Sequence, residues 1–211
     1  MRKLFVVLGL VLLAGLPAQG QDKEFPRAEI YGGFSYASVD TRDLESIYGI
    51  PVGRTNALGF GTQVAGNINK YFGLVFDFSG HFKSRTFTDP VLGSVTAKTK
   101  AYTFMAGPRI TARSDKATAF LHALVGGAKF NTGLPSDIPP AFGAKNSDNG
   151  FAWAVGGGVD VNAGNKVAIR IIQVDYLSSK LLFSTVPGVS APRQHNFRIG
   201  GGIVFRLGGG S

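Results

Sequence analysis

Bulky and small residues alternate along this chain in eight runs, at roughly 28–38, 57–68, 71–83, 99–112, 118–130, 151–161, 167–178 and 194–207. The third run is the cleanest. Phe72, Leu74, Phe76, Phe78 and Phe82 share one parity, and Gly73, Val75, Asp77, Ser79, His81 and Lys83 share the other. A period of two is that of a β-strand, whose side chains point alternately to opposite faces. The gaps between runs alternate as well. Asn69-Lys70, Arg113 to Lys116 and Asn162 to Asn165 are short, whereas 39–56, 84–98, 131–150 and 179–193 are long. Tight turns at one end and long connections at the other predict an all-β, eight-stranded antiparallel up-and-down transmembrane β-barrel, with four long external loops.

Volume decides which face points outward. In the first run Ile30, Gly32, Phe34 and Tyr36 oppose Glu29, Tyr31, Gly33 and Ser35. In the last, Phe197, Ile199, Ile203, Phe205 and Leu207 oppose Asn196, Arg198, Gly200, Gly202, Val204 and Arg206. Eight strands enclose a space that side chains only just fill. The bulky set would overfill it, so a soluble barrel with that set inside is disfavoured. Turned outward, the same set meets lipid. Aromatic girdles are expected at the two rims: Tyr36, Phe82, Tyr102, Phe151, Trp153, Tyr176 and Phe197 toward the long loops, Phe72 and Phe205 toward the short turns.

The seventh run, VAIRIIQVDYL, breaks the alternation, because Arg170 lies on one parity and Gln173 and Asp175 on the other. A β-bulge at Ile171-Ile172 would turn all three inward. The inward set is then an interior polar network of Glu29, Asp77, Lys83, Arg109, Asp160, Arg170, Gln173, Asp175 and Arg198, with Arg206 also inward and Tyr31, Gln63, His81 and Met105 as fillers. Asp175 and Arg198 fall at matching height on adjacent strands. Glu29, Arg109, Asp160 and Arg170 fall near the short-turn end. Buried charges require partners, so the favoured reading is a closed polar plug and the competing one an ion or proton path.

The first residues read as an address. Arg2 and Lys3 precede the apolar stretch Leu4 to Leu16, and Ala18-Gln19-Gly20 is a small-x-small cleavage pattern, so residues 1–20 are expected to be a signal peptide and 21–211 the outer-membrane barrel domain. The apolar stretch is short of the about 20 residues that a spanning helix needs. With no cysteine in the chain, disulfides contribute nothing. The formal charge of +9 falls to +7 without Arg2 and Lys3, and the basic residues are dispersed. Anionic head groups of outer-membrane lipids and lipopolysaccharide fit them better than nucleic acid, which is not expected as a partner.

At this point the chain resembles the small OmpA-like outer-membrane β-barrel family. The resemblance rests on AEIYGGFSY, HALVGGAKF, GFAWAVGGGVDV, RIIQVDYL and the closing NFRIGGGIVFRLG, and it covers almost the whole chain after residue 20. It implies a barrel domain of a Gram-negative-type outer membrane. Where members carry a peptidoglycan-binding half after the barrel, this chain stops at Gly208 to Ser211, so that role is not expected.

Catalysis, a metal and a cofactor are not expected. Ser79 and His81 share a face but lack a positioned third group, His122 reads as an inward filler, and His195 lies at the external rim. The glycine clusters precede no helix and are not phosphate loops. DTRDLES, in the first long gap, lacks the geometry of a calcium loop. The expected role is structural or surface-interactive, through the external loops of a monomer, toward an extracellular ligand that no pattern names. A narrow pore or small-molecule carrier is the alternative, and a lipid-modifying enzyme the third reading.

Overall fold

The computed structural model describes residues 25–40, 54–89, 93–133, 146–180 and 193–208. The expected signal peptide, all of DTRDLES but Asp40, and most of 39–56, 131–150 and 179–193 lie outside these residues. Eight strands follow one another: β1 (Ala28–Asp40), β2 (Arg54–Asn67), β3 (Phe72–Asp89), β4 (Gly93–Arg113), β5 (Ala117–Gly133), β6 (Asn146–Asn162), β7 (Val167–Lys180) and β8 (Arg193–Leu207). Each pairs antiparallel with its sequence neighbour, and β8 returns to β1, from Ala28↔Leu207 to Val39↔Asn196, to close the barrel. Closure leaves no open edge around the ring, which is what a β-structure in lipid requires. Among the described residues no helix is long and apolar enough to cross a membrane.

The two faces fall as volume demands. Phe34, Leu58, Phe72, Leu74, Phe76, Leu121, Phe151 and Phe205 are exposed on the outside, while Glu29, Gln63, Asp77, Asp160, Asp175 and Arg198 are buried inside. One part of the lumen is apolar: Ala65, Val75, Met105, Leu124, Ala152, Ala154 and Leu177 pack together there. The rest of the lumen is polar and is described below.

The strands outrun the alternating segments. β3 and β4 remain paired from Lys83↔Thr99 out to Asp89↔Gly93, so most of the stretch 84–98, expected as a long loop, is a two-stranded ribbon. Alternation of bulk is a signature of one face in lipid. The ladder here continues on β-branched residues such as Thr86, Val95 and Thr96, which favour strands without that signature. Residues 41–53, 134–145 and 181–192, in the other three gaps, lie outside the described residues.

The seventh strand carries the bulge. Asp160 faces Arg170 and Val159 faces Ile172, so Ile171 is the extra residue opposite β6. On the other side the register of β8 jumps from Arg170↔Gly202 to Gln173↔Gly200. Arg170, Gln173 and Asp175 all become buried, and Ile171 and Ile172 both face out. Pro108 marks a second irregularity: pairing of β4 with β5 is interrupted at Gly107 and Pro108, because proline has no N–H for the ladder.

The short turns are held by side chains. The Asn69 carboxamide oxygen accepts from the backbone N–H groups of Tyr71 and Phe72, both at 2.8 Å. Neighbouring turns are tied together, with Arg113 donating to the carbonyl of Lys70 at 2.6 Å and Asn162 to that of Asp115 at 2.8 Å.

Two outcomes are expected from this wall. The folded protein should migrate differently on SDS gels before and after boiling, because the closed ladder resists detergent; identical mobility would argue against the barrel. Deletion of Ile172 should remove the bulge yet leave Arg170, Gln173 and Asp175 on one parity of a regular strand, so the unboiled, compact band should persist; its loss would show that the bulge does more than restore that parity.

Candidate functional site

The charged interior is built in two layers. In the upper layer Arg198 of β8 is shared between two carboxylates. Its Nε donates to Asp175 Oδ2 at 2.8 Å, and its Nη1 and Nη2 donate to Asp77 Oδ1 and Oδ2 at 2.8 and 3.0 Å. Arg198 Nη1 also donates to Ser79 Oγ at 2.9 Å. The other oxygen of Asp175 faces His122 Nε2 at 2.8 Å. Gly156 makes room for this contact, since a Cβ there would run into Asp175 Oδ1.

In the lower layer Arg170 holds Asp160, with Nε on Oδ1 at 2.8 Å and Nη2 on Oδ2 at 3.2 Å. Below it Glu29 gathers three guanidiniums: Arg109 at 3.0 Å, Arg113 at 3.4 Å and Arg206 at 3.5 Å. Two glutamines join the layers. Gln63 accepts from Arg170 at 2.6 Å and donates to Asp77 at 2.8 Å. Gln173 accepts from Arg170 at 2.6 Å and donates to Asp175 at 2.7 Å. An amide is suited to this position, because it offers an acceptor to the cation on one side and a donor to the carboxylate on the other.

A stack completes the plug. The Arg170 guanidinium lies 4.2 Å from the centre of the Tyr31 ring and 4.3 Å from that of Phe120. Arg109 lies 4.3 Å from Phe120 as well. Tyrosine, guanidinium, phenylalanine and guanidinium thus alternate across the lumen, each cation against an aromatic face. Two of the three contacts involve Phe120. Its role was missed in the sequence, where an inward aromatic reads as part of the bulky outer set; the signal available was its shared parity with His122.

The structure therefore brings Glu29, Asp77, Arg109, Asp160, Arg170, Gln173, Asp175 and Arg198 into one connected interior. It does not bring Lys83 into it. Lys83 has the inward parity but lies beyond His81 toward the long-connection end, half-buried and opposite Thr99, above the level of the carboxylates. Ser79 and His81 do not meet either. Ser79 contacts Thr103 at 2.7 Å, and His81 Nε2 contacts Ser35 Oγ at 2.9 Å. Ser35 and His81 are both buried and face the lumen, away from lipid. Among the described residues no group of three or more His, Asp and Glu is arranged to hold a metal.

The outer wall carries two aromatic patches. On β2 to β4, Phe60, Phe78, Phe82 and Tyr102 touch in series, with centroids 5.7 to 6.3 Å apart. On β6 to β8, Trp153 and Phe197 flank Tyr176, each at 5.6 Å, and the Tyr176 hydroxyl is hydrogen-bonded to His195 Nδ1. Tyr36 is half-buried on the same outward parity. Phe72 and Phe205 are exposed at the short-turn end, as is Tyr71, whose ring lies 4.9 Å from the Lys70 ammonium.

Asp175 and Arg198 should be energetically coupled. Removing one member of a buried pair costs about 3–5 kcal/mol where the partner is left without a counter-charge. Arg198→Met strips the cation from both Asp77 and Asp175 and should destabilise on that scale in urea unfolding from lipid vesicles, Asp175→Asn leaves Arg198 on Asp77 and should cost less, and the double variant should lose less than the sum. Strict additivity would contradict the shared guanidinium.

Solved structures are similar to this chain to different degrees. Neisserial surface protein A is 9% identical, with 85% of this chain and 97% of that chain covered and a TM-score of 0.55. Ail, the attachment invasion locus protein of Yersinia pestis, solved in complex with the heparin analogue sucrose octasulfate, is 21% identical, with 84% and 97% covered and a TM-score of 0.48. The outer membrane protease OmpT from Escherichia coli is 8% identical, with 85% and 96% covered and a TM-score of 0.37. No curated protein matches the chain. The model of the outer membrane protein beta-barrel domain matches residues 8–205, nearly the full sequence. The chain belongs to that outer-membrane protein β-barrel domain family, and its place is the outer membrane of a Gram-negative-type cell.

Proposed function

We propose that this protein is a surface-interaction barrel: a rigid, closed wall that presents its external connections, with the lumen serving stability and not passage. The observation that carries this reading is the filled interior. Every carboxylate of the two layers faces at least one guanidinium, and the space left between Tyr31, Asp77, Gln173, Asp175 and Arg198 is about 10 Å³. That is roughly the room of a single water. Water-filled channels belong to barrels of about 16 strands or more.

The segments 41–53, 134–145 and 181–192 and the tip of the β3–β4 ribbon are the proposed contact elements, and the protein acts as a monomer without a cofactor. Lipopolysaccharide and other outer-membrane lipids surround the wall, and the partner of the external segments is extracellular. Residues 1–20 are proposed to direct export and to be removed after Gly20. N-terminal sequencing of protein taken from the outer membrane tests this, and a start well before Gln21 would contradict it.

Two other roles have less support. A carrier or pore would need the plug to open. An enzyme would need a nucleophile and base within reach of substrate. Ser35 and His81 have the distance for such a pair, but both are enclosed by the barrel wall.

Purified protein in a planar bilayer should show no large, steady conductance, and brief small openings are compatible with ion pairs exchanging partners. A stable porin-like current would overturn the closed-lumen reading. Arg198→Ala, which removes the shared guanidinium, should raise the frequency of brief openings, measured on the same bilayer.

A further inference from the structure

The bulge that turns Gln173 and Asp175 inward has a consequence on the opposite side of the wall. Gly201 of β8 faces the two residues Ile171 and Ile172 and presents no side chain between them. The carbonyl oxygens of Arg170 and Ile171 lie 3.1 and 3.4 Å from where a Gly201 Cβ would stand, and the edge of the Phe34 ring lies at 3.1 Å. The Phe34 ring therefore lies over Gly201, and the wall is shallow beside it, where the two isoleucines diverge. A groove of about 500 Å³ runs there between Phe34, Ile169, Ile171 and Ile203. Its lower end reaches Val167 and Ala163, in the β6–β7 turn. At about 3.3 Å per residue, Val167 to Ile171 alone spans about 13 Å along the strand.

We infer that this groove is a specific seat for one acyl chain of an anionic phospholipid from the periplasmic leaflet. Three observations select that occupant. The side chains that line it are aliphatic and aromatic, with the backbone of Arg170, Gly201 and Gly202 between them, on a wall that faces lipid. The groove lies in the short-turn half of the barrel, which is the periplasmic side, where the leaflet is phospholipid. Lys166, in the turn at the groove's lower mouth, is exposed, and its backbone is fixed by the hydrogen bond from Arg206 N to its carbonyl at 2.8 Å. It places a cation at head-group level, beside the entry of the chain, where an anionic phosphate is favoured. The inference concerns the outer wall and is independent of what the external segments contact.

The test is native mass spectrometry. The full mature protein is reconstituted in vesicles of phosphatidylethanolamine and phosphatidylglycerol and released into mild detergent. One phospholipid per barrel should be retained, with phosphatidylglycerol enriched over its share of the vesicle. Ile203→Trp and Ile169→Trp fill the groove from exposed positions and should each lower the retained fraction by about tenfold, equivalent to about 1.4 kcal/mol. Leu121→Trp, on the wall of β5, should leave it unchanged, and Lys166→Gln should keep the lipid but lose the preference for phosphatidylglycerol. Heat-modifiable migration confirms that each variant is folded. Loss in Leu121→Trp equal to that in Ile203→Trp, or no retained lipid in the wild type, would overturn the proposal. So would a second copy in the groove, seen as a dimer mass or as efficient disulfide cross-linking of Ile171→Cys in this cysteine-free chain.

Discussion

Arg198 held between Asp77 and Asp175 is the contact on which the rest of the interior depends. A lone charge in a narrow, dry lumen is expensive, and a pair is tolerable only when its remaining donors and acceptors are used. Here one guanidinium serves two carboxylates, one carboxylate also engages His122, and the glutamines hand the network down to Arg170 and Asp160. The residues come from β2, β3, β5, β6, β7 and β8, so the network fastens opposite walls of the barrel to each other. An eight-stranded ring packed only with alanine and glycine would have no such cross-links.

The network also dictates a backbone irregularity. Strict alternation along β7 would send either Arg170 or the pair Gln173 and Asp175 into lipid, where an uncompensated charge costs several kcal/mol at mid-depth. The extra residue at Ile171 removes the conflict. It does so by placing two isoleucines in succession on the outer face and a glycine opposite them, and the outer groove follows from the inner charges. Inside and outside of such a wall are therefore not independent. Each strand has one backbone, and a register change made for one face is imposed on the other.

The plug bears on what the protein does. The Tyr31–Arg170–Phe120–Arg109 stack crosses a lumen lined by ion pairs, and this packing is what supports the proposed surface role over passage through the barrel. The aromatic patches on β2–β4 and β6–β8 contain Tyr102, Trp153 and Tyr176, the amphipathic rings that a membrane interface favours.

Much of this was legible in the residues themselves. Period-two alternation defined eight strands and their outward faces, because lipid and a narrow lumen impose opposite size requirements on alternate positions. The parity conflict among Arg170, Gln173 and Asp175 located the bulge for the same reason. Four things were decided only by the closed structure. The stretch 84–98 became a ribbon, since pairing outside lipid needs no alternation of bulk. Lys83 fell outside the network, since parity assigns a face and not a height. Phe120 became the centre of a cation–aromatic stack, and Ser35 the partner of His81, because β1 meets β3 and β5 meets β7 only across the lumen. Which side chains meet there depends on the curvature and stagger of the closed ring, and these are properties of all eight strands together.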